Sequence, residues 1–134
     1  MNNKQRVWVV NRKIVKSWQL LKHADPSTYP NVAKGKGTIN FSYKHAPVKF
    51  YFCSLGELFN TWNVVSEQFI EEQYKWLDVK NRQVVDVGAN IGDTAIYFAL
   101  NGAKQVYAYE PFPYLYQRLR FHRPGVFHAA EVVN

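Results

Sequence analysis

One cysteine, Cys53, stands in the whole sequence. A lone cysteine excludes a disulfide framework and a cysteine-based zinc set, and it makes the reducing cytoplasm the default compartment. The four histidines, His23, His45, His122 and His128, share no ligand spacing, so none is expected at a metal or in catalysis. No apolar run approaches the ~20 residues that span a bilayer. Val7–Val10 is too short for the apolar core of a signal peptide. Internal repeats and low-complexity tracts are lacking as well. Acids are scarce in the first 50 positions, where Asp25 faces ten Lys and Arg for a net of +9. Residues 51–134 carry seven basic and nine acidic residues, a net of −2. A basic front half suits contact with an anionic surface such as RNA, anionic lipid or a phosphorylated glycan.

What is present is apolar and aromatic. Hydrophobic residues make up 47% and aromatics 16%, enough for a packed core and too much for a disordered chain. At 134 residues the chain is one domain or one and a half. Val7, Val10, Ile14, Trp18 and Leu21 recur at three- and four-residue steps, predicting an amphipathic helix. Its apolar side is expected to dock on the domain, with Arg12, Lys13, Lys16 and Lys22 on other faces; an interfacial helix on anionic membrane is the sharper reading. Asp25–Pro30 reads as a turn-rich linker, and Lys34–Gly37 as a loop without the strand–loop–helix context of a phosphate cradle. Thr38–Tyr43 and Val48–Cys53 alternate as a β-hairpin, with Ile39, Phe41 and Tyr43 facing the same way as Val48, Phe50 and Phe52. Ser66 reads as the cap of a helix over Glu67–Leu77, whose apolar side is Phe69, Ile70, Tyr74 and Leu77. Glu67 and Tyr74 are placed to reach the pocket described next, beside the plainer roles of capping and packing.

Residues 84–111 are the most specific stretch. Val84, Val85 and Val87 predict a strand covered on both faces. It ends in Asp86 and the turn Gly88-Ala-Asn-Ile-Gly92. Asp93 and Thr94 open a helix and can cap it, and Asn101-Gly102 closes it. Gln105–Tyr109 rebuilds a strand that stops on Glu110, 24 positions after Asp86, before Pro111 ends its ladder. A β-loop-α-β unit with a carboxylate at each strand tip is how an α/β sheet holds the adenosine half of a cofactor. The turn is G-x-x-x-G rather than the dinucleotide G-x-G-x-x-G, and acids flank it. Asp86 and Asp93 would repel a pyrophosphate, which needs bare backbone N–H groups. A sulfonium and an ammonium gain from such acids, roughly 4 kcal/mol per pair at ~4 Å and an effective dielectric near 20, before desolvation. The acids favour S-adenosylmethionine over NAD.

Asp-Val-Gly-Ala-Asn-Ile-Gly-Asp-Thr (86–94), followed by Tyr-Ala-Tyr-Glu-Pro-Phe-Pro-Tyr (107–114), resembles the FkbM family of S-adenosylmethionine-dependent methyltransferases, in the archaeal style. The stretch from Glu67 to Leu77 resembles the segment that leads into that family's first strand. The close match runs from about 65 to 117. The resemblance implies an α/β, Rossmann-like class I methyltransferase fold, of which this chain holds the N-terminal part, preceded by a helix and β-hairpin. The domains would be 1–64, a basic helix-plus-hairpin extension, and 65–134, the first portion of the methyltransferase domain. It implies that Asp86, Gly88, Asn90 and Gly92 line the methionine part of the cofactor, with Asp93 also among the cofactor-binding residues. Glu110 would accept from the two ribose hydroxyls, and Pro111 and Phe112 would border the adenine. The implied reaction is O-methylation of a small-molecule, sugar or glycan hydroxyl. No catalytic base and no metal site are assigned. The alternatives are a nicotinamide-dependent oxidoreductase half-domain and a non-catalytic RNA- or membrane-binding remnant.

Pro113–Arg120 reads as the helix after the second strand, with Tyr114, Leu115, Leu119 and Phe121 as its apolar side. Arg123-Pro124-Gly125 reads as a turn. Beyond it the third and later strands of a seven-stranded sheet are expected to be missing, as in a fragment, a frameshifted frame or a decayed gene.

Overall fold

The computed structural model of the protein describes residues 14–122 and 130–133. Residues 14–23 are helical (α1). A 3₁₀ turn, Pro26–Thr28, and a short helix α2 (Tyr29–Ala33) occupy the expected linker. They are tied down: the buried Thr28 hydroxyl accepts the Asn40 N–H at 2.9 Å. Strands β1 (Gly37–Tyr43) and β2 (Ala46–Phe52) form the antiparallel hairpin, with Ile39 opposite Phe50 and Phe41 opposite Val48. Lys44 and His45 both take positive φ, as a two-residue turn that matches the twist of the strands requires. The six inward hairpin residues foreseen from the alternation are all buried.

Helix α3 spans Leu55–Phe69 and lays Leu58, Trp62, Val65 and Phe69 on the hairpin. Phe69 meets Phe41, Tyr43, Phe50 and Tyr97 edge-on or tilted, with centroids 5.2–6.1 Å apart. The expected helix over Glu67–Leu77 is not formed. Residues 70–77 are turns, Glu72 has φ 48°, and Ser66 lies inside α3 rather than at its start. The deciding signal is Ser54-x-x-Glu57, the capping-box pattern. Ser54 Oγ accepts the Glu57 N–H, and the Glu57 carboxylate accepts the Cys53 N–H.

The second sheet is parallel, in the order β3 (Gln83–Val87), β4 (Gln105–Tyr109), β5 (Ala130–Val133), with helices α4 (Asp93–Leu100) and α5 (Pro113–Phe121) in the crossovers. The order is half of a doubly wound α/β sheet, so the fold class is α/β with a partial Rossmann-like sheet, preceded by a helix and a hairpin. The expectation of no third strand is overturned, because β5 pairs in parallel with β4, Val106 opposite Ala130 and Tyr109 opposite Val133. A strand of four residues is too short a run to announce itself in the sequence. The turn expected at Arg123–Gly125 lies outside the described residues.

Three further expectations fail. Strand β3 is covered on one face only: Val85 and Val87 are 64% and 81% exposed. The helices lie on the other face, where Val106 and Ala108 of β4 are fully buried. On α5, Leu119 is buried and Leu115 packs on the core, but Tyr114 and Phe121 are exposed. Helix α1 docks the other way round. Leu20, Ala24 and Lys16 face the core, whereas Ile14, Trp18 and Leu21 face solvent. Lys16 tolerates this because its ammonium reaches Ser66 Oγ and Glu71 Oε1, both at 2.6 Å. The Trp62 indole N–H donates to the Lys16 carbonyl at 2.9 Å, fixing that side inward. Val7, Val10, Arg12 and Lys13 lie outside the described residues.

Candidate functional site

At the tips of β3 and β4 the chain makes a tight backbone knot. The N–H groups of Gly88 and Ala89 both donate to the Tyr109 carbonyl, at 2.9 and 3.0 Å. Gly88, Asn90 and Gly92 all take positive φ, 78°, 52° and 89°. A Cβ at Gly88 would meet nothing within 4 Å, whereas one at Gly92 would press to 3.3 Å from Leu119 Cγ. Gly88 therefore leaves open space at the strand tip, and Gly92 lets α4 start against α5. Helix α4 has Gly92 at its N-cap and no side-chain cap bond. The expected capping by Asp93 or Thr94 does not occur, because the left-handed cap residue brings no side chain to that place.

Glu110 is 4% exposed and clasps the turn. Its Oε2 accepts the Asn90 N–H at 2.8 Å and its Oε1 accepts the Phe112 N–H at 2.9 Å. Each oxygen keeps a second lone pair. Pro111 and Phe112 stand exposed beyond the strand end.

The acids gather behind the turn. Asp93 is 3% exposed and its Oδ1 has no partner; Asp86 Oδ2 is likewise buried and without one. Burial pushes the Asp93 carboxyl up to about 7, with the negative charges of Asp86 and Glu67 adding to the rise and its own backbone N–H opposing it. Asp86 is also raised, first by burial and then by Glu110, against a hydrogen bond from Thr94. The negative charge of Glu67 is felt at Asp93, while Tyr74 packs on Phe98. Two orphaned carboxylate oxygens fit a cation better than a phosphate. Among the described residues no group of His, Cys, Asp and Glu is arranged to hold a metal.

Sequence reasoning missed a neighbouring arrangement. A cavity of about 460 Å³ opens between the start of α3, the turn and α5, bordered by Asn60, Asn90, Ile91 and Leu115 among others. In its wall Glu57 Oε1 lies 2.6 Å from both Arg118 Nη1 and the Tyr114 hydroxyl. Burial pushes Glu57 up, but hydrogen bonds from Cys53 and Tyr114 and the Arg118 charge outweigh it, leaving the carboxyl at about 2. Arg118 also reaches the Tyr51 carbonyl and Thr61 Oγ1. His122, discounted on spacing alone, is buried behind the turn. Its Nε2 accepts the Tyr51 N–H at 2.9 Å, so its Nδ1 carries the proton and donates to the Ile91 carbonyl at 2.9 Å. Burial first, and then the Arg118 charge, lowers its pKa to about 4. The capping box around Ser54 was the one signal that could have found Glu57; nothing local marks Arg118 or His122.

No family model matches the chain. It is 33% identical over 93 residues to the probable histone-arginine methyltransferase 1.4 of Arabidopsis thaliana, a match of 63% of this chain and 18% of that protein. The chain thus spans under a fifth of the length of that curated relative. Among solved structures it is similar to protein arginine methyltransferase 10 of Arabidopsis thaliana, at 31% identity and a TM-score of 0.39, covering 42% of this chain and 16% of that one. It is also similar to the T. thermophilus 16S rRNA N2 G1207 methyltransferase in complex with AdoMet and guanosine, at 20% identity and a TM-score of 0.49, covering 73% and 27%. All of these proteins are methyltransferases.

Proposed function

We propose that residues 65–134 are the first portion of an S-adenosylmethionine-dependent methyltransferase domain, and residues 1–64 its basic extension, working in the cytoplasm. The reading is carried by the orphaned oxygens of Asp86 and Asp93, buried at the two ends of the turn that holds the open Gly88. A ligand ammonium or sulfonium satisfies those oxygens; a pyrophosphate does not. The 33% identity to a methyltransferase over 93 residues supports the same choice.

In this reading Asp86 and Asp93 hold the cationic methionine end, with Gly88, Asn90 and Gly92 shaping the backbone around it. Glu110 uses its remaining lone pairs for the ribose hydroxyls, and Pro111 and Phe112 border the adenine. Bound there, the cofactor supplies an electrophilic methyl group on a cationic sulfur. The chain's own contribution is placement: a rigid turn, pinned to Tyr109 and Glu110, sets the donor relative to its acceptor. The acceptor we propose is a hydroxyl of a small molecule, sugar or glycan, as in FkbM-type enzymes. An arginine side chain, which the curated relative's name gives to that protein, is the competing acceptor.

Isothermal titration of the full chain tests this. S-adenosylmethionine or S-adenosylhomocysteine should bind, NAD should not, and Asp93→Asn should weaken the former by tenfold or more (~1.4 kcal/mol). Tighter binding of NAD would overturn the reading in favour of an oxidoreductase half-domain. Transfer of a labelled methyl to oligosaccharide rather than to arginine peptide would fix the acceptor class.

A further inference from the structure

Helix α1 turns an apolar face away from its own protein. Ile14, Val15, Trp18 and Leu21 are 62%, 53%, 59% and 63% exposed. At 100° per residue they fall within an arc of roughly 120°. Lys22 lies in the same arc, its ammonium 5.0 Å from the centre of the Trp18 ring. The opposite side, through Lys16, Leu20 and Ala24, already anchors the helix to the core. The outer face is therefore surplus to folding.

We propose that this face docks on an anionic lipid surface, with Ile14, Trp18 and Leu21 entering the headgroup boundary and Lys22 pairing with lipid phosphate. Charge selects the occupant. From residue 14 to residue 50 the exposed cations are Lys22, Lys34, Lys36, Lys44 and Lys49, and Asp25 is the single acid. A second copy would bring the same positive half against itself, which like charges oppose. RNA is read by charge with exposed aromatics; Phe41, Phe50 and Phe52 of the hairpin are buried, Tyr29 and Tyr51 are exposed but lie off α1, and the helix face itself offers mainly aliphatic groups. Three aliphatic side chains and a tryptophan beside lysine are the composition of a helix lying in a membrane interface. Apolar insertion and attraction between cationic side chains and anionic lipid together suffice for stable attachment, where neither does alone.

The test is flotation of the full chain with vesicles of phosphatidylcholine, with and without about 30% phosphatidylglycerol. Binding should be about tenfold tighter to the anionic vesicles and should weaken as salt rises. Ile14→Ser with Leu21→Ser should cost about tenfold, and Lys22→Glu a smaller factor, with circular dichroism unchanged. Should the double variant not fold, Trp18→Ser, also at an exposed position, gives the same readout. Failure to bind, equal binding to neutral vesicles, or binding that ignores these variants would overturn the proposal. So would a dimer abolished by the same variants without vesicle attachment, or displacement of the protein from vesicles by RNA through a different surface. The proposal is independent of the cofactor reading: Asp93→Asn should leave vesicle binding as it is.

Discussion

Two buried side chains pull the stability of this protein in opposite directions with pH. Asp93 is raised in the folded state to about 7 from an ordinary 3.8, so the native form holds a proton that the unfolded form gives up. Its contribution is full below pH 4 and is lost as pH rises toward 7. His122 is lowered to about 4 from 6.5, so the native form refuses a proton that the unfolded form accepts. That contribution is full above pH 6.5 and is lost as pH falls toward 4, about 3 kcal/mol at the limit. The two slopes largely cancel between pH 4 and 6.5, and single variants should uncover them. Asp93→Asn should match the parent near pH 4 and be more stable by about 4 kcal/mol at pH 7.5, read by denaturant unfolding. A lower stability of the variant at pH 7.5 would mean that Asp93 has a partner cation in the native state. The glycines of the turn separate in a similar way. Gly92→Ala should cost about 2 kcal/mol, since it adds a contact at 3.3 Å with Leu119 to an unfavourable φ. Gly88→Ala, with open space around it, should cost about 1 kcal/mol in stability and more in ligand affinity.

Among the elements, α3 is held by its first turn. Ser54→Ala should cost about 1 kcal/mol as a lost cap. Glu57→Ala should cost about 3 kcal/mol, because it strands the largely buried Arg118 guanidinium. Thermal melts of the two variants check the ranking. What was legible at this scale follows from the reach of each signal. The hairpin could be read because alternation over Ile39–Tyr43 and Val48–Phe52 is local and unambiguous. The β-loop-α-β unit was legible through Gly88, Gly92 and Pro111, each of which restricts its own backbone. Helix α3 was misplaced because Phe69, Ile70, Tyr74 and Leu77 imitate a helical stripe, while the stronger stripe from Leu58 to Phe69 started before them. The docking side of α1 was unreadable for another reason. Lys16 is buried only because Ser66 and Glu71, 50 and 55 residues away, receive its ammonium. Asp86, Asp93 and Glu110 stood out in the sequence, whereas the Glu57–Arg118–Tyr114 group is assembled by tertiary packing, and only Glu57, through its capping box, leaves a local trace.

Taken whole, the molecule has a core running from the hairpin through α3 and α4 to one face of the parallel sheet. The other face is bare around Val85, Val87 and Tyr109, and the outer edge of β3 pairs with no described strand. An apolar sheet face next to an open edge invites association. Sedimentation should therefore show concentration-dependent self-association of the chain, and Val87→Lys should reduce it without lowering the melting temperature by more than about 2 °C.

The His122 imidazole carries this architecture one step further. It joins β2 to the glycine turn through a single ring, accepting from Tyr51 and donating to Ile91. An N-terminal truncation that removes the hairpin would leave that ring nitrogen without its amide, directly behind the turn. Such a shortened protein should bind S-adenosylmethionine poorly although every residue of the proposed site is still there. The front of the chain is thus a brace for the glycine turn, reaching it through one imidazole.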